Sequence, residues 1–167
     1  MDNLIIGYQS SEDTSIKIIH PNKEMYDPTS KLRLLLKEYN IIFSTDEEVL
    51  QFIINEQVPP NTQYSLLKTS DLPNHRFFRD AWTLDNNEIK TDLPKAINIK
   101  KDQLRRLRKP LLEKLDIEFT RALETNDTDK LELIKNKKQQ LRDITAIPLP
   151  TDNLDLLKDF IPDILNS

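Results

Sequence analysis

Cysteine is absent from the 167-residue chain, and glycine occurs once, at Gly7. The first absence excludes disulfides and thiolate metal sites and leaves the redox compartment open. The second excludes glycine-rich phosphate cradles, which need several residues with open backbone space, and with them a G-x-S-x-G nucleophile elbow. Histidine is nearly as scarce: His20 and His75 stand in loop-like or strand-end surroundings, whereas a zinc centre needs about three protein ligands converging on one point. No stretch approaches the roughly 18 apolar residues of a membrane helix. The opening Met1-Asp2-Asn3-Leu4-Ile5-Ile6 is acidic, and its apolar run is too short for a signal peptide. The expectation is a cytoplasmic protein with no membrane association, no metal and no cofactor. No nucleophile and base arrangement stands out, so no enzymatic activity is expected either.

What is present is charge. Charged residues make up 31% of the chain and hydrophobic ones 37%, with a net charge of -4. That balance fits a modest core with much exposed helix surface, in one domain or a small domain plus a helical appendage.

Leu4 to Tyr8 and Ser15 to His20 are short β-type runs separated by polar residues 9–14, which predicts an opening hairpin. Asp27-Pro28 offers an N-cap and a first-turn proline for a helix carrying Leu32, Leu35, Leu36 and Tyr39. Ser44-Thr45-Asp46-Glu47 fits a capping box before Val49, Leu50, Ile53 and Ile54, and Pro59-Pro60 must stop that helix. Tyr64 to Lys68 reads as a strand. Phe77 to Leu84 is aromatic and β-prone, with Glu88 to Thr91 able to pair back across the turn Asp85-Asn86-Asn87.

The rest of the chain is organised around residues 97–145. Leu104, Leu107, Leu111, Leu115, Phe119, Ala122 and Leu123 recur at spacings of three and four, which lines one helical face with apolar groups. After the turn Thr125-Asn126-Asp127-Thr128, Leu131, Ile134, Leu141 and Ile144 resume the pattern, so a helical hairpin is predicted. Pro110 falls inside the first helix, where a kink or break is expected near Arg108 to Pro110. Ile147-Pro148-Leu149-Pro150 reads as a stiff linker, and Thr151-Asp152 as the cap of a short terminal helix with Leu154, Leu157, Phe160 and Ile161. The predicted fold class is α+β: a small, mostly antiparallel N-terminal sheet with two helices, then a helical hairpin kinked near Pro110, then a short helix. The expected divisions are a small α+β domain over 1–93, the hairpin over 94–147, and linker and terminal helix over 148–167.

Two stretches compete for function. Residues 95–109 hold seven basic side chains against the single acid Asp102. Lys101, Arg105 and Arg108 would share one face able to meet phosphates. The competing reading is a solvated helix face paired with the later acids Glu113, Asp116, Glu118 and Glu124, and the acidic balance of the chain favours it. Arg76-Phe77-Phe78-Arg79-Asp80-Ala81-Trp82 is the densest aromatic run. Strand alternation would put Phe78, Asp80 and Trp82 on one side. Such aromatics either plug a core or anchor a partner. Asn126-Asp127-Thr128 matches a glycosylation pattern but reads as a helix cap.

Three groups of residues carry a family likeness. The first is Ile18-Ile19-His20-Pro21. The second runs from Val58-Pro59-Pro60-Asn61-Thr62-Gln63-Tyr64 through Asp71-Leu72-Pro73 to Phe78-Arg79-Asp80-Ala81-Trp82. The third runs from Lys109-Pro110-Leu111-Leu112-Glu113-Lys114-Leu115-Asp116 through Arg121-Ala122-Leu123-Glu124 to Lys138-Gln139-Gln140-Leu141-Arg142-Asp143-Ile144-Thr145. With these the chain resembles the phage tail assembly chaperone family, small proteins of the tail modules of tailed bacteriophages and prophages; residues 25–45 look like an insertion. The resemblance implies no catalytic residues and a role in holding another tail protein (tape measure, fibre or tip component) until it is assembled. The alternatives are a structural component of the virion tail tip or fibre connector, and a nucleic-acid-binding regulator. On the chaperone reading the candidate interaction residues are Phe78, Trp82, Leu104, Leu111, Leu115, Phe119, Leu157 and Phe160, with a homo-oligomer as a further possibility; Lys101, Arg105 and Arg108 belong to the polyanion alternative.

Overall fold

A computed structural model describes residues 4–10, 15–74 and 76–166. The expected turn residues 11–14, the first three residues and His75 lie outside the described residues. The chain is α+β and divides into two compact units, one of residues 1–76 and 82–91, the other of residues 77–81 and 92–167.

The first unit is built on a three-stranded antiparallel sheet of β1 (Leu4–Gln9), β2 (Ile16–Ile19) and β3 (Tyr64–Lys68), ordered β2-β1-β3. Alternation along β1 assigns its two faces. Ile6, with Tyr8 and Ile19, packs against Met25, Val49, Ile53 and Ile54. The last three belong to α2 (Asp46–Gln57), and Leu32 and Leu36 of α1 (Lys31–Glu38) pack against the same core. On the opposite face Ile5, Ile16 and Leu67 meet Trp82 and Ile89 of the antiparallel hairpin formed by β4 (Trp82–Asp85) and β5 (Glu88–Thr91). Gly7 lies on that face, where an added Cβ would stand 3.1 Å from Leu67 Cδ1 and 3.7 Å from Ile89 Cδ1. The one glycine is thus placed where two layers approach closely.

Scarcity of glycine has a second outcome. The described residues with positive φ are Asn40, Asn61, Asn86, Asn87 and Asn126, all asparagine. Asparagine tolerates the left-handed region because its short amide bonds locally, whereas most side chains lose about 1–2 kcal/mol there. Asn86 and Asn87 form the β4–β5 turn, and Asn87 Oδ1 accepts a hydrogen bond of 2.6 Å from the buried Ser65 hydroxyl. Asn126 lies between the two long helices, in a connection closed by Asp127 N donating to the Ala122 carbonyl. Asn126→Ala should therefore lower stability by about 1 kcal/mol while Asn126→Gly leaves it unchanged or slightly raised, as read from urea midpoints.

The second unit is the helical hairpin of α3 (Leu93–Glu124) and α4 (Thr128–Arg142), followed by α5 (Leu154–Asp159). Asp92 caps α3, accepting from Lys95 N at 3.0 Å, with Pro94 in the first turn; Asp127 caps α4 in the same way. Phe78, Ala81, Ala96 and Leu157 form a buried cluster, to which Leu149 of the expected linker also packs.

Several local expectations need correction. The helix α3 continues through Pro110, so the break does not occur. Pro110 and Arg106, the residue whose carbonyl loses its partner, are both exposed, and on the solvent side a missing helical bond is least costly. Residues Arg76–Ala81 form 3-10 turns interrupted at Phe78 rather than a strand, and β4 begins at Trp82. Phe78 and Trp82 therefore enter different cores instead of sharing one face. The caps also move: Ser30, Thr45 and Asn153 cap the helices expected from Asp27, Ser44 and Thr151-Asp152. At α2 the box is formed one residue later than expected, by Thr45 and Glu48: the Thr45 hydroxyl accepts from Glu48 N, and Glu48 Oε2 accepts from the Thr45 amide. Asp27 instead accepts bonds from the Thr29 amide and hydroxyl.

Candidate functional site

The apolar stripe of α3 is only partly spent inside the second unit, with Leu111, Leu115 and Phe119 half-buried and Leu107 and Leu123 exposed. Ala96, Leu104 and Ala122 are buried along it, as are Ile134 and Leu141 of α4. Two cations fall on this same stripe, because Lys100 and Arg108 stand four residues either side of Leu104. Arg108 Nη1 donates to the Leu141 carbonyl at 3.2 Å and the Arg142 carbonyl at 2.6 Å. It thereby caps the C-terminal end of α4, where helix carbonyls lack partners and carry partial negative charge. Lys100 is fully buried; its Nζ donates to the Lys158 carbonyl at 2.6 Å, at the end of α5, and to Gln103 Oε1 at 2.8 Å.

Burial holds the Lys100 ammonium below the usual lysine range, and the Asp159 carboxylate pulls the other way. A base whose folded pKa lies below its unfolded value of 10.5 binds fewer protons when folded across that window, so stability rises with pH there. The stability gap between the native chain and Lys100→Met should accordingly move in favour of the native chain as pH climbs toward 10.5. Other groups titrating in that range cancel in the difference.

Further along the hairpin, Lys138 on α4 pairs with Asp116 on α3 and stands 5.1 Å from the centre of the Phe119 ring. Beside this link an open cleft of about 150 Å³ lies among Leu111, Leu115, Leu141 and Ile164, with Lys114, Lys137 and Glu118 at its margin.

These positions sort the sequence candidates. Phe78, Leu104 and Leu157 are fully buried in the second unit, and Trp82 is buried in the core of the first. None of the four presents a surface, because the folded units already use them. Leu111 and Leu115 do line the cleft, Phe119 is half-buried under Lys138, and Phe160 is half-buried at the end of α5. Of the basic trio, Arg108 is turned onto carbonyls, Arg105 pairs with Asp102, and Lys101 is half-buried. They do not make one free cationic face.

Sequence reasoning missed Lys114, Lys137 and Ile164, and it missed the exposed apolar residues of the first unit. Leu34, Leu35, Tyr39 and Ile42 are 50 to 72% exposed, on and just after α1. The run Leu34-Leu35-Leu36 was the available signal, since one helix face cannot hide three consecutive leucines. The first unit holds two further clefts, of about 370 Å³ beside Ile54, Val58 and Pro59 and about 330 Å³ beside Ser65 and Asn87. Tyr64 is the only titratable lining residue of one, and Asp85 of the other. Two polar atoms of that unit, Tyr26 OH and Trp82 Nε1, are buried without a hydrogen-bond partner, and burial raises the Tyr26 pKa with help from Asp46. His20 is exposed, and no group of three or more His, Cys, Asp or Glu side chains gathers among the described residues. Among the same residues no helix is long and apolar enough to cross a membrane. Comparison of the chain with protein-family models, with curated proteins and with solved structures finds no match.

Proposed function

We propose that this protein is a non-enzymatic protein-binding component of a phage or prophage tail module, an assembly chaperone that holds another tail protein through apolar helix surface. The observation that carries the docking role is the apolar surface left outside the hairpin core. Leu107, Ile117, Leu123 and Leu133 are 41 to 56% exposed, and the cleft at Leu111, Leu115 and Leu141 is open. Leu107, Ile117 and Leu123 lie on α3 and Leu133 on α4, and apolar helix surface that the core does not cover is what a partner helix can bury. The tail assignment rests on the sequence likeness alone, which extends from Ile18 to Thr145. On this reading the protein acts in the cytoplasm of the infected or lysogenic bacterium.

Co-expression of the tagged chain with the neighbouring tail gene products tests the proposal. One tail protein should be recovered with the native chain and lost with Leu111→Asp/Leu115→Asp. Recovery of none, or recovery indifferent to those substitutions, overturns it. Mass spectrometry of purified particles then separates chaperone from structural part: a chaperone is absent from mature tails, and stoichiometric presence assigns the chain to the virion.

A further inference from the structure

The hairpin already carries an occupant. Residues 154–165 dock on it by one face: Leu157 is fully buried against Phe78, Ala81 and Ala96, the Lys158 carbonyl takes the Lys100 ammonium, and Ile164 closes one side of the cleft at Leu111, Leu115 and Leu141. The outward side of the segment carries the exposed charges Asp155, Lys158, Asp159 and Asp163, together with Leu156 at 60% and Ile161 at 38% exposure. It is also acidic, and one of its acids, Asp159, lies near enough to the buried Lys100 ammonium to favour the charged form. Asp155, Asp159 and Asp163 stand against one lysine, Lys158, whereas the receiving surface offers Lys100, Lys114 and Lys137 with one acid, Glu118. The segment is tethered by residues 146–153, which form no helix or strand and include Pro148 and Pro150.

From this fit we infer that the hairpin groove takes an acidic, leucine-rich segment of a partner chain, and that residues 154–165 are an internal copy of that ligand which the partner displaces. This rests on the reading of the hairpin as a protein-docking surface and names the chemistry it selects. A tethered ligand acts at an effective concentration on the order of millimolar, so it protects the groove from weak encounters. A competing segment binds with its affinity reduced by the fraction of molecules whose groove is free. The device keeps Leu111, Leu115 and Leu141 partly covered until a better-matched partner arrives.

The probe is a fluorescent peptide of residues 151–167, titrated by anisotropy into the full-length chain. A full-length Leu157→Asp/Ile164→Asp variant, shown by circular dichroism to keep its helices, should bind it at least tenfold more tightly than the native chain. Adding Leu115→Asp should remove that gain, and a scrambled peptide of the same composition should not bind. A folded variant that binds no better, or binding that survives Leu115→Asp or scrambling, overturns the inference. If the double variant does not fold, hydrogen exchange on the native chain decides. Saturating unlabelled peptide should speed exchange at residues 154–165 and leave α3 and α4 protected; no change overturns the inference. A native chain that is dimeric and becomes monomeric in the double variant also overturns it, in favour of exchange between copies. Peptide binding without recovery of a tail protein leaves the groove chemistry standing and removes the tail assignment. A tail protein captured equally by native chain and double variant keeps that assignment and removes the cover.

Discussion

Phe78→Ala should destabilise the second unit by roughly 3–5 kcal/mol, the range for emptying a fully buried aromatic site. The side chain is completely enclosed by Ala81, Ala96 and Leu157, and the partly buried Leu93, Ile97 and Leu154 pack around that cluster. Its removal would take away the contact shared by the start of α3 and by α5. Because a whole domain holds only about 5–15 kcal/mol, the loss is a large fraction of what keeps these helices together. The adjacent Phe77 is the internal control. It is 40% exposed and meets Phe78 edge-on at 4.9 Å, so Phe77→Ala should cost about 1 kcal/mol. Urea unfolding followed by circular dichroism gives both values. Hydrogen exchange should place the Phe78→Ala loss at amides near Ala96 and Leu157. Equal effects at the two positions would mean that the buried ring is not what anchors α5.

The contrast between these neighbours shows what the sequence could and could not convey. Aromatic, β-prone composition over Phe77–Leu84 was real, but burial overrides local preference: Phe78 and Ala81 are claimed by the helical unit and Trp82 by the sheet. No periodicity within those residues announces two destinations. The strands at Leu4–Gln9, Tyr64–Lys68 and Glu88–Thr91 were legible because each is a short apolar or β-branched run bounded by turn residues. The hairpin was legible because its stripe persists at helical spacing far beyond the length of a strand. At Pro110 the sequence reveals the missing donor but not the side of the helix on which the bond is missing, so it leaves a kink and a full break as alternatives, and the helix is not broken there. For the site, Leu111 and Leu115 could be placed on a face, but whether α4 or a partner covers them depends on tertiary packing. The cations were the avoidable error. Ala96, Lys100, Leu104, Arg108, Leu111 and Leu115 follow one another at steps of four or three, which puts Lys100 and Arg108 on the covered face, where a long stem packs and the charged tip must find carbonyls.

Arg108→Ala should cost the hairpin roughly 2 kcal/mol, below the sum expected for two charge-assisted bonds because the side chain is only half-buried. Two acceptors, the carbonyls of Leu141 and Arg142, lose their donor together at the end of α4. Arg108→Lys should recover less than half of the loss, since an ammonium is a point charge without the spread of donors on a guanidinium. Arg105→Ala should cost under about 0.5 kcal/mol, because Arg105 and Asp102 form an exposed pair three residues apart on one helix. The polyanion reading predicts the opposite pattern. There the exposed Arg105 would matter at least as much as Arg108, the effect would appear in salt-dependent nucleic-acid binding, and unfolding midpoints would not move. Urea unfolding of the three variants, together with gel shifts at two salt concentrations, separates the two cases. A stability loss confined to Arg108 makes this residue the tie between α3 and α4. A loss of salt-dependent binding shared by Arg105 and Arg108 would instead make the basic run a phosphate-contacting face.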